Sequence, residues 1–215
     1  MSACGINVRG RSHKLKLNYR TTHEIRVWAV SILEGVSVDD LDEGTDNLRG
    51  YVSIFHGPTP ELVHCRSEAE ELKGLAAWIK AQPANKINIS DIGVLCSKRD
   101  DAERVRDALS TAGLETVVLQ AGHADDRSLS GVRITTMHRA KGLEFSAVAI
   151  PFLSEGGFPP VGALKAAVDA ADKADIIDQH RSLLHVAATR AKRSLRVSWS
   201  GKPTTLIPSL KKAGM

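Results

Sequence analysis

No phosphate-binding loop of the form G-x-x-x-x-G-K-[ST] occurs in the 215 residues, so the chain shows no nucleotide cradle of its own. Cysteine is scarce. Cys4, Cys65 and Cys96 stand apart without C-x-x-C spacing, which argues against a disulfide framework or thiolate metal site and for reduced, mostly buried thiols. No run approaches the roughly 18 apolar residues of a membrane span. The N-terminus lacks an apolar h-region, so a signal peptide is not expected either. The eight histidines include no H-x-x-x-H pair, and metal binding is not expected. Aromatics make up only 4% of the chain, and Trp28, Trp78 and Trp199 are too dispersed for a base-stacking platform; they read as core fillers. Ser194, Ser198 and Ser200 have no G-x-S-x-G context, so no hydrolase triad is expected.

What is present fits one sizeable α/β domain, or at most two small ones. The chain is 42% apolar and 25% charged, the balance of a soluble globular protein. Net charge is +4, a mild basic excess compatible with an anionic partner but shared by many proteins without one.

Strands and helices alternate along the sequence. Ile25, Trp28, Ala29, Ile32 and Leu33 recur at helical spacing over 23–35, with Gly35 as the expected C-cap. Residues 36–50 are acidic and polar, a predicted surface loop. A strand at 61–65 leads into Ser67 and Glu70, a capping box opening a helix that Pro83 ends. The unit repeats with a strand at 91–96, Ser97 as N-cap, a helix to Ala112 and Gly113 at its end. Further strands are predicted at 114–119, 132–136, 147–153 and 195–199. A Gly/Pro-rich loop over 155–162 precedes helical segments over 164–192. This alternation implies βαβ crossovers and a mostly parallel sheet. Asp169, Asp172, Asp175 and Asp178 recur every three residues and read as a solvated helix face.

Three segments join such elements to abrupt clusters of charge and glycine: LNYRTT at 17–22, TMHRAKGLEF at 136–145 and VAATRAK at 186–192. An aromatic and an arginine near a helix N-terminus, as in Tyr19-Arg20, can stack on a base and fork onto a phosphate. Alone, they fit a surface tyrosine and a solvated arginine better. Gly142 allows the sharp turn after the strand, and His138 and Arg139 follow the strand's C-terminal end, where open α/β sheets bind ligands; all three segments are expected at that C-terminal edge of the strands. Ala187, Ala188 and Ala191 allow close helix packing around Arg190.

Together and in this order, the three segments resemble motifs IV, V and VI of the superfamily 1 DNA helicases of the UvrD/Rep/PcrA type. The resemblance implies a RecA-like, P-loop NTPase-type three-layer domain lacking its own P-loop. It would be the second motor domain of an ATP-dependent, 3′-to-5′ DNA helicase or translocase. The implied organisation is a lead-in over 1–16, the helicase domain over 17–202 and a tail over 203–215, with the start read as lying inside a longer protein. Tyr19 would pack on the adenine. Arg20 and Arg190 would reach the γ-phosphate, Arg190 as an arginine finger, and Glu144 would accept a hydrogen bond from the ribose. Thr136, His138 and Arg139 would contact single-stranded DNA. Lys141 is expected to order the loop with Gly142 through an ion pair rather than bind phosphate. ATP with Mg²⁺ would be held mainly by a P-loop motor domain of the same protein, absent from this sequence. The chain alone is therefore expected to be inactive, and bacterial and cytoplasmic. The interval from Arg20 to His138 is far shorter than in members with a large helical insertion. A different class of function is a catalytically silent module that binds single strands or a protein.

Overall fold

The computed structural model describes residues 17–18, 20–33, 39–40, 44–45, 52–120 and 122–208. In chain order these form β1 (Leu17–Asn18), α1 (His23–Ile32), β2 (Asp39–Asp40), β3 (Gly44–Thr45), β4 (Val52–Ser53), β5 (Glu61–Cys65) and α2 (Glu68–Ala81). There follow β6 (Ile92–Cys96), α3 (Arg99–Thr111), β7 (Thr116–Val118), β8 (Val132–Thr136), β9 (Phe145–Ile150), α4 (Val161–Ala166), α5 (Ala170–Ala188) and β10 (Ala191–Ser200). Tyr19, the lead-in over 1–16 and the predicted C-cap Gly35 lie outside the described residues, as do 209–215 and most of the 36–50 loop.

Six strands form one sheet in the order β5-β10-β9-β6-β8-β7, and every pairing in it is parallel. The central strands are apolar on both sides: β6 is buried throughout, and Ala147–Ile150 of β9 are all buried. Such continuous apolar runs suit strands covered on both faces. The edge strands β5 and β7 are largely accessible. One core layer joins Ile25, Trp28, Ala29 and Ile32 of α1 to Leu184, Ala187 and Ala188 of α5 across Val148, Ile150, Leu195 and Val197. The other packs Leu75 and Ile79 of α2 and Val105 and Leu109 of α3 on Val94, Ile134, Ala147 and Ala149. The neighbours on β9 alternate between the two layers, as side chains on a pleated strand must. The result is the three-layer, parallel α/β architecture of a RecA-like domain.

Several boundaries differ from expectation. Ser67 caps α2 by accepting from the Glu70 amide at 3.2 Å, but the Glu70 carboxylate returns to the Arg66 amide, 2.8 Å away, rather than to that of Ser67. Ser97 is not an N-cap: Lys98 holds that position, and the Ser97 hydroxyl donates to Asp101 Oδ2 at 2.9 Å. Strand β9 begins at Phe145, two residues early, because the Phe145 amide bonds to the Arg190 carbonyl at 3.0 Å. Helix α5 stops at Ala188, and β10 begins at Ala191, so the predicted helix to 192 gives way to ten residues of strand. Residues 203–208 are no free tail. Leu206 is buried in the α1/α5 layer, and the Pro208 carbonyl accepts from Trp28 Nε1 at 3.3 Å.

Candidate functional site

Two edges of the sheet carry the predicted residues. Because all six strands run the same way, Phe145 at the start of β9 and Ala191 at the start of β10 lie side by side at the N-terminal edge. Glu144 and Arg190 immediately precede them. Phe145 is fully buried, with its ring over Gly93, and its amide is bonded to the Arg190 carbonyl, so the backbone carrying Glu144 is fixed. Arg20 arrives from the other side. The Asn18 side chain accepts from the Arg20 amide at 2.8 Å and the Thr21 amide at 3.4 Å, a side-chain turn that sets the course of the chain. The next residue, Thr22, precedes α1, and its amide donates to the Lys192 carbonyl at 3.2 Å.

These elements gather four charges. Arg20 Nε lies 2.5 Å from Glu144 Oε1, and Lys192 Nζ lies 3.1 Å from Glu144 Oε2. Arg190 stands behind them, donating to the carbonyls of Val186 at 3.0 Å and Leu143 at 3.3 Å. Burial draws its guanidinium below the ordinary value, the nearby Arg20 charge adds to this, and Glu144 opposes it. Three cations around one carboxylate leave positive charge uncompensated at this edge, an arrangement suited to a multiply charged anion.

The loop after β8 begins at the opposite, C-terminal edge. Thr136 ends the strand, and Met137 is held by its amide to the Cys96 carbonyl at 2.8 Å. Met137 and Ala140 are fully buried between α1 and α5, whereas His138 projects outward. Gly142 adopts φ +87° with no atom within 4 Å of a Cβ, so it is required for its backbone angle and not for space. In eight residues the chain thus crosses from one sheet edge to the other. The sequence placed all these motifs at the C-terminal edge. The structure leaves Thr136 and His138 there and puts Glu144 and Arg190 at the N-terminal edge.

Two further side chains of the loop are placed. Lys141 has no ion pair among the described residues. The loop is ordered instead by backbone bonds, Ala140 to Thr136 at 3.0 Å and Leu143 to Ala140 at 2.9 Å, and by the buried Met137. Arg139 directs its guanidinium at the carbonyls of Gln120 (3.1 Å) and His123 (2.6 Å), bracing the β7–β8 connection. Between the loop and α5 lies a groove of about 610 Å³ with Met137, Leu183 and Val186 as its apolar part and His138, Lys141 and Asp178 among its polar lining. Lys192 escaped sequence reasoning. On a helix it would point away from Arg190, whereas in the structure it follows the turn after α5 and, as the second residue of β10, reaches Glu144. Recognising that α5 ends before Arg190 is the signal that would have found it.

Residues 119–202 match the UvrD-like helicase C-terminal domain family. Over 102 residues the chain is 31% identical to the ATP-dependent DNA helicase UvrD2 of Mycobacterium tuberculosis, covering 47% of this chain and 14% of that protein. Over 86 residues it is 35% identical to the ATP-dependent DNA helicase PcrA of Staphylococcus aureus, covering 37% of this chain and 11% of that protein. The chain therefore corresponds to a small part of the length of these relatives. The crystal structure of the C-terminal domain of a possible DNA helicase from Lactobacillus plantarum WCFS1 superposes with a TM-score of 0.64 at 17% identity. It covers 91% of this chain and 96% of that one, a likeness of fold.

Proposed function

We propose, from the premise that this chain carries a UvrD-type helicase C-terminal domain, that it is the second motor domain of an ATP-dependent DNA helicase or translocase. The observation that carries this reading is the convergence of Arg20, Arg190 and Lys192 on Glu144 at one sheet edge. Arg20 and Arg190 fit the phosphate end of a nucleotide whose Mg²⁺ and catalytic base belong to a P-loop domain across a cleft. Glu144 fits the ribose hydroxyl, and Tyr19, one residue before Arg20, belongs to the same reading as the adenine partner. When bound, ATP supplies the phosphoryl group whose loss opens the cleft. Arg190 meets charge that develops on that group, and its planar fork gives direction as well as charge.

At the other edge, Thr136 and His138 form part of a single-stranded DNA track, with Arg139 shaping the adjoining loop. One short segment, Met137–Leu143, anchored by the buried Met137 and Ala140, joins the two edges, and motion of Glu144 on nucleotide loss is thereby passed to His138. The bacterial cytoplasm fits such a protein.

The test is Arg190→Ala in the complete helicase, measured as ATP turnover and single-strand affinity. Turnover should fall by roughly two or more orders of magnitude, with nucleotide affinity much less affected. Single-strand affinity should hold, and Arg190→Lys should recover little. Near-normal turnover with collapsed DNA binding would place Arg190 in the DNA track and end this reading. The isolated chain should show no ATP turnover.

A further inference from the structure

The two ion pairs on Glu144 are not equivalent. Arg20 takes one carboxylate oxygen and Lys192 the other. Arg20 is the freer partner: its side chain is 58% exposed, on a short segment held by the Asn18 side chain. Lys192 lies in β10, is less exposed at 44%, and is anchored a second time through its carbonyl to the Thr22 amide. One residue thus grips both the segment carrying Arg20 and the carboxylate that Arg20 occupies. If an anion enters this edge, Arg20 must turn from Glu144 to meet it. That exchange leaves Lys192, on the second oxygen, as the carboxylate's remaining ion pair among the described residues.

We propose that Lys192 is a positioning residue, the standing counter-ion of Glu144 that frees Arg20 for the phosphate end of the nucleotide. This rests on the nucleotide reading of the edge given above. Without Lys192, Arg20 is the one ion-pair partner left to Glu144 among the described residues and is held back from the anion. Lys192 itself does not bind the phosphate.

The probe is inorganic triphosphate titrated into the 215-residue chain by calorimetry, in wild type, Lys192→Ala, Glu144→Gln and the double variant. Exchange of one exposed ion pair sets the scale, so Lys192→Ala should weaken binding by about threefold and Glu144→Gln should tighten it by about threefold. In the Glu144→Gln background, Lys192→Ala should change nothing, because Arg20 is already free. Lys192→Arg should restore wild-type affinity. The side-chain Nε–H resonance of Arg20 gives a second readout, shifting at lower triphosphate concentration in wild type than in Lys192→Ala. Equal weakening by Lys192→Ala in both backgrounds would make Lys192 a direct phosphate ligand and overturn the proposal. Triphosphate binding that survives both Arg20→Ala and Arg190→Ala would place the anion elsewhere. That result would overturn the nucleotide reading itself, and no titration at all would do the same.

Discussion

Gly93 shows how a missing side chain can place a functional one. A methyl group there would sit 2.6 Å from Phe145 Cδ2, inside any real contact distance, and the buried ring has nowhere to retreat. Gly93→Ala should therefore cost about 1–3 kcal/mol by overpacking and displace Phe145, and with it Glu144. The measurements are a urea denaturation midpoint and triphosphate affinity; an alanine tolerated in both would show that Phe145 has room to move. Glu71 offers a test of a different kind. It is fully buried, with Oε1 accepting from the Phe152 amide at 2.8 Å and the Ser198 hydroxyl at 2.7 Å. Burial raises its carboxyl above the ordinary value despite these hydrogen bonds. The folded state then keeps a proton that the unfolded chain releases, so stability falls as pH rises above about 4.5 until the folded carboxyl ionises. Glu71→Gln removes that slope. Its stability relative to wild type should improve between about pH 4.5 and pH 7, read from denaturation curves at each pH. A relative stability that worsens over that interval would mean the ionised carboxylate is the favoured buried form.

At the scale of elements, periodicity and caps were legible and junctions were not. Helix α1 buries Ile25, Trp28, Ala29 and Ile32, four of the five residues read from their spacing. Ser67 and Ser97 looked alike in sequence, each a serine between a strand and a helix. Only Ser67 accepts a helix amide; Ser97 donates to Asp101 instead. Ser67→Ala should thus cost about 1 kcal/mol through an unsatisfied helix end, and Ser97→Ala about half as much by losing one partly exposed hydrogen bond. Thermal or urea midpoints of the two variants check the order, and equal losses would mean that Ser97 caps α3 after all. The α5–β10 junction was missed because VAATRAK has nothing to stop a helix: no glycine, no proline and good helix formers at five of its seven positions. Pairing with β9 and β5 overrides that local preference from Ala191 onward.

Over the whole molecule, the two sites proposed at opposite sheet edges predict separable defects. His138→Ala should weaken single-strand binding by the complete protein, the property that Arg190→Ala leaves intact. Binding to the track should also fall with salt, by a slope of about −0.7 per phosphate neutralised. Affinity that ignores salt, or that His138→Ala leaves untouched, would favour a protein-binding module over a DNA track.

The sequence by itself determined the class of fold, because strand-sized apolar runs between amphipathic helices allow little except a covered parallel sheet. It also singled out Arg20, Glu144, Arg190 and His138, whose chemistry lies in short contiguous strings. Only the tertiary structure decided which edge each of them occupies. That depends on strand direction and on an eight-residue crossover pinned by Met137, neither of which is written in local sequence. It also decided the partners: Lys192 with Glu144, Arg139 with backbone carbonyls, and Lys141 with no carboxylate among the described residues. Ion pairs join residues distant in the chain, so their choice follows from the packed backbone and not from spacing.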